Sequence, residues 1–214
     1  MKSPNLRSLP LALALLGASS CAVVPPAGTP GNELVLVEGA ERIHWPRRYE
    51  PDGATFFVHN EIEVDAPVEV VWGVLMEATT WPDWYEGASD VRLEPEGTML
   101  LQADSVLRWR TMGFSFRSEV VEFEPPLRLG WESRKATLKG YHAWLLVPLE
   151  DGRTRIVTDE SQFGLLAVLQ SWFPPGKLRR LHDVWLEALK ERAEARSTTT
   201  ARSAARPRTR TPSA

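Results

Sequence analysis

The stretch from residue 62 to residue 93, IEVDAPVEVVWGVLMEATTWPDWYEGASDVRL, limits what this chain can fold into more than any other. It opens on strict alternation. Ile62, Val64 and Ala66 fall on one side, and Glu61, Glu63 and Asp65 on the other. Period two with one apolar side is the signature of a strand that buries one face. Pro67 lacks the N–H that a sheet ladder needs and suits the first turn of a helix, so the strand stops there. Val70, Val71, Val74 and Leu75 then recur at three-to-four spacing, which predicts a short helix. WPDWY follows, a turn dense in aromatic side chains. The strand leaves a dry face that this short helix is too small to cover.

The rest of the chain supplies the cover. Strand patterns fall at residues 55–65, 98–111, 113–123, 127–135, 137–148 and 153–163. Met112-Gly113, Glu124-Pro125-Pro126, residues 134–136 and Glu150-Asp151-Gly152 punctuate them as turns. Strands in sequence with short links predict an antiparallel meander. The first helix is expected at 67–77 and a turn of helix at 81–85. Residues 34–37 read as a small extra strand, and 42–52 as irregular. An apolar segment, 165–173, stops at Pro174-Pro175-Gly176. A last helix is expected over 177–196, about 30 Å long at ~1.5 Å per residue. Its stripe of Leu178, Leu181, Trp185, Ala188 and Leu189 is a one-sided apolar face, and the sheet is the only large surface to receive it. The pattern is α+β.

This order of strand, short helix and WPDWY turn, with the later GYHAWLLVP and DGRTRIVTDE strands and the final helix, resembles the START-like or SRPBCC superfamily (polyketide cyclase/dehydrase and lipid transport). The resemblance covers residues 55–195. It implies a helix-grip fold: a curved antiparallel sheet of about six to seven strands wrapped around a long C-terminal helix, with short helices after strand one. It also implies a ligand cavity between sheet and helix, taking a hydrophobic small molecule or lipid.

Charge is unevenly spread. Setting aside Lys2, Arg7 and the four arginines after residue 196 leaves 19 basic and 28 acidic residues, a net of −9 for residues 31–196. An acidic body argues against a nucleic-acid partner, since phosphate neutralisation needs clustered Lys and Arg. Residues 197–214, rich in Ser, Thr, Ala and Arg, read as a disordered basic tail. At the other end, residues 1–20 read as a signal peptide: Lys2 and Arg7, a short apolar run from 9 to 16, then small residues. Cys21 is the only cysteine. Ala18-Ser19-Ser20-Cys21 resembles a bacterial lipobox without the usual leucine, which implies cleavage before Cys21, lipidation, and a linker over 21–32. The domain proper spans 33–196. The expectation is an exported monomer, lipid-anchored to the bacterial cell envelope and facing the periplasm or exterior. Its lone thiol excludes an intrachain disulfide, so packing alone must hold the fold.

No HExxH, GxSxG, GxGxxG, P-loop or CxxC motif is present. His44 and His59 are expected at the surface. His142 shares a strand face with Trp144 and Leu146, His182 lies beside the apolar stripe of the last helix, and Glu160 shares a face with Ile156, Thr158 and Gln162. One helix and two strands can therefore bring His142, Glu160 and His182 into one cavity. Four readings stay open for them: a polar anchor for a ligand, satisfied structural groups, a general acid/base pair, or a His-His-Glu metal site. No metal and no cofactor is expected. Trp109, Phe116, Trp131, Trp144 and Trp185 complete the expected cavity lining, as walls of an apolar slot. Trp81 is expected at its rim and Trp84 as a buried brace. Three functions follow: a hydrophobic-ligand binder, a polyketide cyclase/dehydrase-like enzyme using cavity histidines, or an envelope adaptor with a vestigial cavity that contacts a partner through residues 81–85 and the basic tail.

Overall fold

The computed structural model describes residues 42–172 and 176–205. Seven strands form one antiparallel sheet: β1 (Phe56–Val64), β2 (Ser89–Glu94), β3 (Val106–Thr111), β4 (Phe114–Glu124), β5 (Arg128–Lys135), β6 (Leu138–Pro148) and β7 (Thr154–Phe163). Their order is β1-β7-β6-β5-β4-β3-β2. Six strands are thus a continuous meander, and β1 closes the far edge against β7. Helix α1 (Val68–Met76), three 3-10 turns (Arg47–Tyr49, Pro51–Gly53 and Ala78–Asp83), α2 (Leu165–Trp172) and α3 (Lys177–Ala205) complete the described residues. It is the α+β helix-grip arrangement, a curved sheet around a long last helix.

α3 is held by its own stripe. Leu178, Leu181, Trp185, Leu186, Leu189 and Ala193 are buried at helical spacing against the sheet and α1. Burying an indole removes roughly 150–250 Å², a gross gain of about 4–6 kcal/mol for Trp185 alone. Polar ties set the helix position along the sheet. Asn60 donates to the Asp183 carboxylate (2.5 Å) and to the Arg179 carbonyl. Arg196 forms a two-pronged bond to Glu77 at the end of α1 (2.7 and 2.8 Å), a geometry that only arginine supplies. The opposite face of the sheet is covered by residues 42–53. Tyr49 is buried there and stacks on Tyr141. Tyr141 in turn donates to Glu122 and sits where a side chain on Gly130 would collide with its hydroxyl at 2.1 Å.

Three expectations need correction. The strand expected over 98–111 is confined to β3. Gly97 and Asp104 both sit at positive φ, and the Gln102 N–H bonds the Ser105 hydroxyl, so the backbone turns before Ser105 where one long strand was expected. Leu101 is buried from a loop, with its N–H on the Met76 carbonyl. β2 was not anticipated: it is an edge strand paired only to β3, with Leu93 as its one buried residue. Finally, α3 continues through residues 197–205, where a disordered tail was expected. Thr198, Thr199 and Thr200 donate their hydroxyls to the carbonyls four residues back (2.9–3.0 Å), the bond a Thr side chain makes within a helix. The expected signal peptide, Cys21, the linker, the 34–37 strand and residues 206–214 lie outside the described residues.

Candidate functional site

Sheet register builds the site. On the face toward α3, Val58, Glu160, His142, Trp131 and Val120 stand directly opposite one another across β1, β7, β6, β5 and β4. Two residues along, Asn60, Thr158, Trp144 and Leu129 form the next row. His182 descends from α3 onto the first row and stacks on His142, with centroids 4.7 Å apart.

The three polar groups converge. One Glu160 oxygen lies 3.3 Å from His182 Nε2 and 3.5 Å from His142 Nδ1. The other accepts a hydrogen bond from the Gln162 amide at 2.6 Å. His142 Nε2 meets the Thr158 hydroxyl at 2.8 Å. The side chains of His142 and His182 are only 4% and 2% exposed. Burial therefore acts strongly on the site. It depresses the His142 pKa to about 3, helped by His182 and opposed by Glu160, so this imidazole stays neutral across the physiological range. Burial also pushes the Glu160 carboxyl up, but the His182 hydrogen bond, the two neighbouring imidazoles and the Gln162 amide outweigh it and hold the group below its ordinary value. The Tyr85 phenol, beside them, is raised by burial first and by Glu160 second. His142, Glu160 and His182 also offer ligand atoms within 4.8 Å of one another, as do His44, Glu122 and Glu124 near the surface.

Around these groups the aromatic residues pack against each other. Trp185 is the hub, stacked on Tyr85 (4.4 Å, 12°) and edge-on to Trp81 and Trp144 (4.9 Å each). Trp131 lies 4.6 Å from His142. The void left between them is ≈ 30 Å³. That admits a water or two, whereas ligand pockets run to roughly 300–1,000 Å³. The expectation of tryptophans lining an open slot is therefore corrected: they fill it.

Of the expected site residues, Trp109, Phe116, Trp131, His142, Glu160, His182 and Trp185 line the void. Trp144 and Trp81 are buried behind it. Trp81 is not a rim residue. It is 0% exposed, donates its indole N–H to the Leu75 carbonyl (3.1 Å) and packs on three other tryptophans. The helical turn begins at Ala78, not at Trp81, and that phase turns Trp81 inward and leaves Trp84 half-buried under Arg192. Within residues 81–85, Trp81 and Tyr85 are inside, so only Pro82, Asp83 and half-buried Trp84 face outward. Tyr85, Gln162 and Leu178 line the void without having been chosen. Alternation along β7 pointed to Gln162, and the α3 stripe to Leu178. Nothing local marks Tyr85.

Several buried polar atoms on residues lining this space have no hydrogen-bond partner among the described residues: His182 Nδ1, Gln162 Oε1 and Trp185 Nε1. Each such atom costs about 1–3 kcal/mol unless something satisfies it.

Comparison with known proteins agrees with the architecture. No curated protein sequence matches the chain. A hypothetical protein from Helicobacter pylori is 28% identical, with TM-score 0.67 over 75% of this chain and 99% of that one. The Zhui aromatase/cyclase from Streptomyces sp. R1128 is 19% identical (TM-score 0.54; 66% of this chain, 94% of that one). A norcoclaurine synthase mutant from Thalictrum flavum, solved with a transition-state analogue, is 13% identical (TM-score 0.51; 66% and 95%). At the last two identities the likeness is one of fold. The family model for polyketide cyclase / dehydrase and lipid transport proteins matches residues 55–194, from β1 to the middle of α3, and the chain belongs to that family.

Proposed function

We propose that this protein is a START-like domain that binds a small hydrophobic molecule or lipid between the sheet and α3, tethered through Cys21 to the bacterial cell envelope and facing the periplasm or exterior. One observation carries the ligand reading. A neutral imidazole, a carboxylate and three residues with unpartnered buried polar atoms line a void walled by aromatic rings. Ring faces supply affinity for an apolar body, and the polar groups fix one hydroxyl, carbonyl or amine on it. The ≈ 30 Å³ space sets a condition: the aromatic cage opens for the ligand to enter. An acid/base enzyme is less well served. His142, with its pKa near 3, has no proton to give at neutral pH, which leaves Glu160 and His182 as the only candidates among the three.

The membrane reading rests on the lipobox-like Ala18-Ser19-Ser20-Cys21. Among the described residues no helix is long and apolar enough to cross a membrane, so a tether would have to come from elsewhere in the chain. A second reading, an adaptor with a vestigial cavity, is favoured by the filled interior and by the solvent-facing Leu165, Leu169 and Trp172 of α2, the last 67% exposed.

Native mass spectrometry of the full chain isolated from its own host separates the two. Ligand binding predicts an adduct of a few hundred daltons released by organic solvent. A bare polypeptide mass, with the fold intact, contradicts it. Labelling with a radioactive fatty acid tests the anchor, which Cys21→Ser must abolish.

A further inference from the structure

We propose that His142, Glu160 and His182 bind a divalent transition-metal ion of the zinc class through His142 Nδ1, His182 Nε2 and one Glu160 oxygen. The inference does not rest on the ligand reading, because the ion binds whether or not an organic molecule follows.

The distances carry the argument. If the trio existed only to bond a carboxylate to two histidines, the contacts would be short, about 2.7–2.9 Å for charge-assisted N–H···O bonds. They are 3.3 and 3.5 Å, both to the same oxygen. Ligand atoms held about 2.0–2.1 Å from a tetrahedral zinc stand about 3.3–3.4 Å from one another. Two edges of the trio therefore have the length found in a coordination polyhedron, and the third, between the two imidazoles, is within 4.8 Å.

The surroundings fit as well. A metal-binding histidine is oriented by a partner on its second nitrogen, so that the ligating nitrogen carries the lone pair. His142 Nε2 is held by the Thr158 hydroxyl at 2.8 Å, which leaves Nδ1 turned to Glu160. His182 Nδ1 has no protein partner among the described residues, so a water has to take that place. Glu160 is oriented in the same way by the Gln162 amide on its other oxygen. The three ligands come from β6, β7 and α3, so closing the fold assembles the site. Two imidazoles and a carboxylate suit zinc, iron or cobalt and not calcium or magnesium, which take oxygen ligands. Three protein ligands leave a position open toward the ≈ 30 Å³ void, where a water or the oxygen of a bound molecule can complete the shell.

The test uses the untagged full chain, freed of metal with chelator, and titrates it with zinc in a calorimeter. The expected result is one tight ion per chain. Glu160→Gln keeps the shape of the side chain and is expected to weaken zinc at least about 100-fold. Thr158→Val, which touches no metal, is expected to weaken it by about 10–100-fold. His44→Ala, at the other acid-histidine group, leaves the tight site unchanged. Cobalt added to the wild type gives a second readout that needs no variant: intense visible bands of four-coordinate ligation support the site, and the pale spectrum of hydrated cobalt overturns it. Equal zinc affinity in the wild type and Glu160→Gln, or loss of the tight ion on His44→Ala, also overturns it, and the trio is then a hydrogen-bonded group without a metal.

Discussion

Asp159 and Glu160 are neighbours on β7, and each faces a histidine directly across a strand: His59 on β1 and His142 on β6. The chemistry is nearly the same and the outcome is opposite. Asp159 points to the outer face, 2.7 Å from a histidine whose side chain is 48% exposed. Glu160 points under α3, between two histidines that solvent barely touches. Burial raises the Asp159 pKa, and the one half-solvated histidine does not recover the loss. Burial penalises Glu160 too, although its side chain is the more exposed of the two (16% against 10%), yet its pKa ends below the ordinary value because His182, His142 and Gln162 all act on it. The number of partners decides the sign here, and depth alone does not. A carboxylate kept ionised beneath a helix by three partners is an arrangement suited to binding something.

The largest expected effect comes from removing the wall on one side of the comparison. Trp185→Ala should lower unfolding free energy by about 3–5 kcal/mol in urea, because its ring touches Tyr85, Trp81, Trp144 and His142 at once. Next, Glu160→Ala should cost about 1–3 kcal/mol, since it strands two buried imidazoles. His59→Ala, breaking the partner contact on the outer face, should stay within about 1 kcal/mol. Equal costs for these last two would erase the distinction.

The smallest effects are the most diagnostic, and they concern pH. With its folded pKa depressed, Glu160 contributes stability that is present above the unfolded value of ~4.3 and is lost as pH falls through the lower folded value. In chelator-treated protein the penalty of Glu160→Gln should therefore be largest near neutrality and fade below about pH 4. Asp159 has a raised folded pKa, so its contribution is present below ~3.9 and is lost as pH rises through the folded value. Asp159→Asn should gain on the wild type as pH climbs from 4 to 7. Thermal midpoints of both variants over that range would check this, and parallel trends would refute the assignment of opposite shifts.

Much of this was legible beforehand because it rests on periodicity. Alternation in GYHAWLLVP put His142 and Trp144 on one face, and alternation in RTRIVTDESQ put Glu160 beside Thr158 and Gln162. The helical stripe of residues 178–189 brought His182 to them. What stayed hidden depends on phase and volume. A shift of three residues in the start of one 3-10 turn separates a rim tryptophan from a buried one, and WPDWY carries no sign of it. The volume between sheet and helix is a difference between large quantities, so nine tryptophans in the sequence are compatible with an open slot or a filled one. Left-handed turns at Gly97 and Asp104 likewise cut a strand that hydrophobicity alone extended.

The central claim is that the aromatic cage around Glu160 opens to take an apolar molecule. The most direct measurement is titration of the folded protein with N-phenyl-1-naphthylamine while following both dye and tryptophan emission. The account predicts a saturable rise in dye fluorescence with one molecule per chain, accompanied by quenching of the buried tryptophans. No saturable signal from protein that circular dichroism shows to be folded would contradict it, and the filled interior would then be a core and nothing more.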